Sequence, residues 1–188
     1  MPIQARERLI TTAEALFYQR GIHAVGISEL IETSGVGRAS FYRHFESKEA
    51  LVHGVLNHRN EMALASLEAG IAANDSSPLG VFDVIAKRYG QADFRGCAFI
   101  NAMVEAADRG SETHRIARAH KLAQIQIIAR VLEQAGYSSS NELACDFQLL
   151  IDGAVMGVLR EGNLEPVERA RQIAAGLLLS PRPSTHPS

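Results

Sequence analysis

The chain of 188 residues has no tryptophan, two cysteines, and aromatic residues at 6% of its length. Each scarcity excludes something. Cys97 and Cys145 are too few to frame a disulfide scaffold, and no CxxC pair offers a zinc site. No apolar run reaches the roughly 18–20 residues that a bilayer-spanning helix needs. The opening MPIQARERLI lacks the basic and then apolar layout of a signal peptide, so a cytoplasmic location is expected. Alternating apolar and polar residues never persist long enough for a convincing strand. A strong charge bias is missing too. The formal net charge is −2, which excludes a protein that coats nucleic acid by bulk charge.

What is present is helical. Hydrophobic residues make up 46% and charged residues 21%, ordinary values for a soluble globular protein. Leu9, Ile10, Ala13, Leu16 and Phe17 recur at helical spacing until Gly21 stops them, which predicts a first helix over about 3–20. Ile27, Leu30 and Ile31 predict a short second helix, capped at Gly26 or Ser28 and ended by Gly35. Val36 is an apolar plug in the turn. A third helix runs from Arg38 to His44, with Phe41 and Phe45 pointing inward. Ser47 is the expected cap of a long helix reaching about Ala73. After the break ANDSSPLG, helices are expected at 78–92, 96–108, 112–135, 140–162 and 166–179. Ser77–Pro78 opens the first of these, a Ser139/Glu142 capping box the fourth, and Pro166 the last. The tail from 181 to 188 has no apolar anchor and reads as disordered. The expected fold is therefore all-α.

Charge is unevenly placed. Residues 1–59 carry seven Lys/Arg against six Asp/Glu, whereas residues 60–188 carry twelve against fifteen. The stretch 38–48 holds three basic residues and one acidic one. A slightly acidic body with a locally basic tip suits site-specific DNA binding. Helix, tight turn, helix is the layout of a DNA-reading unit. Arg38, Ser40, Tyr42, Arg43, His44 and Lys48 are all hydrogen-bond donors. Arginines suit guanine edges in a major groove, while hydroxyls, histidine and a lysine beside a helix start suit phosphates.

The segments RLITTAEALFYQRG, IETSGV and SFYRHFESKEAL together resemble the N-terminal domain of the tetracycline-repressor (TetR) family of bacterial transcription regulators, over about residues 6–56. The resemblance implies base reading by Arg38, Ala39 and Arg43, and phosphate contacts by Ser40, Tyr42, His44 and Lys48. It departs from the family at Gly26, where a Thr cap is frequent, and at Gly37, where Ser or Thr often starts the recognition helix. It also implies a helix-turn-helix domain at 1–46 and a larger helical domain at 47–180 that dimerises and holds a small-molecule inducer, about nine helices in all. The implied partners are a palindromic double-stranded operator, a second copy of the chain and an inducer, with no cofactor or metal. Repression is the commoner behaviour in the family and is the expectation here.

The residues of the second half support that division. In FQLLIDGAVMGVL, residues 147–159, Gln148 and Asp152 are the two polar side chains, so the helix should be buried on two sides. Phe147, Leu150, Ile151, Ala154, Gly157 and Val158, with Ile173 and Leu177 of the last helix, are the expected dimer interface. The segment RGCAFINAMVEAAD resembles a ligand-domain helix of one family subgroup. Tyr89, Cys97, Phe99, Met103, His120 and Gln124 are candidate pocket residues, each set against an ordinary packing or surface role. Cys97 is either a reactive thiol or a small packing residue. Enzymatic readings find no support: no GxSxG, P-loop or Rossmann glycine pattern is present, and His53/His58 and His114/His120 lack the i, i+4 spacing of a helical metal site. A helical interaction module without DNA binding is the remaining alternative.

Overall fold

A computed structural model describes residues 2–179, and the expected disordered tail lies outside them. Among the described residues there are nine helices and no strand: α1 (Pro2–Arg20), α2 (Ile27–Ser34), α3 (Arg38–His44), α4 (Lys48–Ala72), α5 (Gly80–Tyr89), α6 (Ala98–Ala106), α7 (Glu112–Gln134), α8 (Ser140–Glu161) and α9 (Glu165–Leu179). The all-α expectation holds.

Two compact units divide these elements. The first joins the chain up to Met62 with Cys97–His120, and the second joins Ala63–Gly96 with the chain from Lys121 onward. The division falls inside α4 and α7. Expected domain limits at 46 and 47 followed function, whereas packing groups the first part of α4, all of α6 and the start of α7 with the N-terminal helices.

The first unit has one core. Leu9, Ala13, Val25, Leu30, Phe41, Leu51 and Phe99 are fully buried in it, and Val36 plugs the turn at 2% exposure. Gly35 ends α2 with φ 64°, a left-handed conformation that costs a residue with a Cβ about 1–2 kcal/mol. Ser34, buried beside it, donates its Oγ–H to the Ile31 carbonyl, and Val36 N donates to that same Oγ, both at 3.3 Å. Ser47 caps α4 as expected, its Oγ accepting from Ala50 N at 3.0 Å. α4 passes so close to Phe45 that a Cβ on Gly54 would sit 3.0 Å from the ring.

The second unit packs α5, α8 and α9, with Phe82 and Phe147 in tilted contact at 5.5 Å. Two expected starts and one expected cap differ from those observed. α5 begins at Gly80, because Asp75 and Ser76 are left-handed (φ 53° and 52°) and Ser77 N still bonds to Asn74 O. Ser77–Pro78 therefore belongs to the preceding turn. Ser139 does precede α8, but at ψ 38° its side chain makes no capping bond; that bond needs an extended N-cap backbone. α9 starts at Glu165, whose N–H donates to Asn163 Oδ1 at 2.9 Å, so Asn163 and not Pro166 sets its entry.

α8 carries two glycines with opposite surroundings. A Cβ on Gly157 would lie 2.5 Å from Pro166 Cβ, whereas Gly153 has nothing within 4 Å. Gly157 thus permits α9 to close on α8 within one chain. Gly157→Leu should cost about 1–3 kcal/mol by overpacking. Gly153→Ala, in an exposed helix interior, should be neutral or stabilise by roughly 0.5–1 kcal/mol. Urea unfolding of the two variants checks the contrast.

Candidate nucleic-acid interface

α3 is seven residues long and has two faces. Phe41 is fully buried, Phe45 just beyond the helix is 5% exposed, and their rings lie 6.4 Å apart. That inward anchor turns Arg38, Ala39, Tyr42 and Arg43 outward, all exposed, with Ser40 and His44 half-buried. Tyr42 stands edge-on to Phe41 at 5.2 Å, so its ring is braced while 46% of the residue stays open.

Hydroxyls hold both arginines. Arg43 Nη2 donates to Ser40 Oγ at 3.0 Å, one turn back on the same helix. Arg38 Nη2 donates to Ser28 Oγ of α2 at 3.3 Å. The sequence offered Ser28 only as a helix cap, and its contact to Arg38 crosses the turn. These neutral contacts leave each guanidinium fork with donors to spare. His44 Nε2 is buried without a partner, so a phosphate contact by this ring falls to Nδ1. Gly26 and Gly37 precede α2 and α3 in extended conformations without side-chain caps, as their lack of side chains requires. Lys48, half-buried, is the first residue of α4, where unpaired backbone N–H groups add to its positive charge.

Several contacts fix the unit that carries α3. Arg20 at the end of α1 pairs with Glu29 of α2. Arg59 of α4 donates to Glu14 of α1 at 2.8 Å and lies over the Tyr18 ring at 4.5 Å. Glu105, from α6, clasps the α1–α2 turn: its two carboxylate oxygens accept from Ile22 N and His23 N, each at 2.9 Å. The His23 ring Nε2 lies 2.9 Å from the Glu105 main-chain carbonyl. Gly21, at φ 88°, leaves room for that carboxylate, which a Cβ would approach to 3.2 Å.

The model for bacterial regulatory proteins of the tetR family matches residues 9–55, a span that contains α2, α3 and their turn. The Escherichia coli K12 transcriptional repressor NemR is 51% identical over 45 residues, 24% of this chain and 23% of that protein. Pseudomonas putida TtgR, an HTH-type regulator, is 27% identical over 54% of this chain and 55% of its own length. The aligned part thus spans about half of TtgR and a quarter of NemR. A TetR-family regulator from Streptomyces coelicolor, SCO4454, superposes with a TM-score of 0.82 at 28% identity, covering 94% of this chain and 95% of that one. The chain carries a TetR-family DNA-binding domain on a TetR-type fold. It is accordingly a DNA-binding regulator rather than an enzyme, and an interaction module without DNA binding is not favoured. Among the described residues, no helix is long and apolar enough to cross a membrane.

Four of the six pocket candidates belong to the first unit and two to the second. Phe99 is fully buried and stacks on His120, itself 2% exposed, at 3.6 Å between ring centres. His120 Nδ1 lies 2.8 Å from Asn60 Oδ1. Cys97 and Met103 are partly buried against the same core. Tyr89, which stacks on Phe94 at 4.6 Å, and Gln124 belong to the second unit. None of the six lines either of two cavities found in the first unit, one beside Arg59 and one beside Lys48.

The expected dimer residues also need correction. Phe147, Ile151, Ala154, Gly157 and Val158 are buried inside their own unit, and Leu150 and Leu177 are half-buried. Ile173, 48% exposed, is open. On α8 an open stripe runs through Leu149 at 72%, Gly153 and Met156 at 55%, spaced i, i+4, i+7. A helix apolar nearly all round does not reveal which stripe its own chain consumes.

Removing the Glu105 carboxylate leaves two backbone N–H groups without partners, at about 1.5–3 kcal/mol for charged hydrogen bonds. In Glu105→Ala, amide hydrogen exchange at Ile22 and His23 should accelerate by at least about tenfold. Unchanged exchange would show that the clasp does not hold the turn in solution.

Proposed function

We propose that the protein is a repressor that binds a palindromic operator as a homodimer and is released by a small-molecule inducer. The observation that carries the DNA half of this reading is α3: one face anchored by Phe41 and Phe45, the other presenting Arg38, Ala39, Tyr42 and Arg43. In the proposed complex α3 lies in the major groove. Arg38, Ala39 and Arg43 meet base edges, while Ser40, Tyr42, His44 and Lys48 hold phosphates. The repressor assignment is supported by the name of the relative NemR.

Dimerisation is proposed through the open stripe Leu149–Gly153–Met156 of α8 together with Ile173 of α9. Apolar side chains this open on adjacent packed helices suit a second copy of the same surface. Two-fold symmetry would then set two recognition helices about one turn of DNA apart. An inducer acts only if it binds the DNA-free conformation better, because equal affinity for both shifts nothing.

Arg43→Ala should lose about 1–3 kcal/mol of operator affinity and relax base preference at one position per half-site. Lys48→Ala should weaken specific and random duplexes alike and flatten the salt dependence. Titrations of each variant against operator and scrambled duplexes separate the roles; uniform weakening by Arg43→Ala would make Arg43 a phosphate contact. Met156→Arg should convert the dimer to a monomer by light scattering, and a wild type already monomeric at micromolar concentration would contradict the interface.

A further inference from the structure

We propose that a cleft beside the start of α4 binds a small organic carboxylate, which competes with DNA for Lys48. This inference rests on the proposed role of Lys48 as a phosphate contact and names a site for an effector. The cleft measures about 340 Å³ and lies wholly within the first unit. Ile22, Val52, Ala102 and Ala106 give it an apolar lining, and Lys48 and Thr113 bring polar groups to it. That size is at the lower end for small-molecule sites and suits a compound of one ring or a short chain.

The charge of the ligand follows from which polar groups are already engaged. The Glu105 carboxylate is bonded to Ile22 N and His23 N. Glu49 has a side chain 68% exposed and faces His53 at 3.8 Å. Ser111 Oγ–H donates to the Asp108 carbonyl at 2.7 Å. Lys48, half-buried, has no carboxylate partner among the described residues. Thr113, 7% exposed, adds a hydroxyl. One open cation beside apolar walls recognises a monoanion with an apolar body. A doubly charged phosphate would meet a single cation with Glu49 and Glu105 nearby.

The same Nζ cannot pair fully with a ligand carboxylate and a DNA phosphate. Each occupant therefore lowers the affinity of the other, and by the same factor.

The test uses the full-length protein and benzoate, with benzyl alcohol and benzylamine as controls, followed by amide NMR without DNA. Benzoate should shift the amides of Val52, Ala102 and Ala106. Loss of the charge-assisted contact should make benzyl alcohol, or benzoate with Lys48→Met, about tenfold or more weaker. Ala106→Leu should fill the cleft and abolish benzoate binding while leaving affinity for a random duplex unchanged. Thr113→Val, which keeps the volume, should weaken benzoate without affecting that duplex. With the duplex present, benzoate should lower occupancy of the wild type and not of Ala106→Leu. The site is overturned if benzylamine binds as tightly as benzoate, if those amides do not move, or if Ala106→Leu retains full benzoate affinity. Benzoate shifts in a protein that binds no duplex would keep the site and sink the DNA reading on which the competition rests.

Discussion

The burial of Phe41 is the interaction on which the DNA-reading geometry depends. A helix of seven residues is far below the length at which helices persist alone in water, so α3 exists because its inner face is packed. Burying one such ring contributes about 1.5–3 kcal/mol. Phe45 extends the anchor, and Gly54 of α4 keeps clear the space its ring fills. The outward arginines inherit their direction from that packing. Their own contacts, to Ser28 and Ser40, only trim it.

α3 rests on α1 and α2, and their relative position is fixed from outside the helix-turn-helix. The α1–α2 turn offers two backbone N–H groups, and both donate to Glu105, more than eighty residues along the chain. α6 is therefore part of the mechanical support of the reading head. In the first unit the head, the lower part of α4 and α6 share one core. A rearrangement of α6 that broke the Glu105 bonds would free the turn that sets α2 and α3. The division of the chain by packing makes the same point more directly than the expected division by function.

Much of this was legible in the sequence because it is local. Gly35, Val36, Phe41, Phe45 and Ser47 announce turn, plug, anchors and cap through spacing and residue type within a dozen or so positions. The limits of α1, α2, α3 and α4 follow to within a residue or so. What failed was tertiary. Ser139 has the right residue type for a cap, but the chain reaches α8 at an angle that denies it the bond. Asn163 caps α9 from a place that composition does not distinguish. The apolar pattern of α8 is continuous, so only the structure shows that α9 consumes the Gly157 side and leaves Leu149, Gly153 and Met156 open. The pocket candidates were chosen by residue type on neighbouring helices, and Phe99 and His120 proved to be each other's packing.

The central claim is that α3 reads sequence from two symmetry-related copies. It is tested most directly by selecting bound fragments from a random duplex pool with the full-length protein and sequencing them. The account predicts enrichment of one palindromic motif, its half-sites centred about one helical turn apart. Enrichment of a single non-repeated half-site, or of no motif above the input pool, would contradict it.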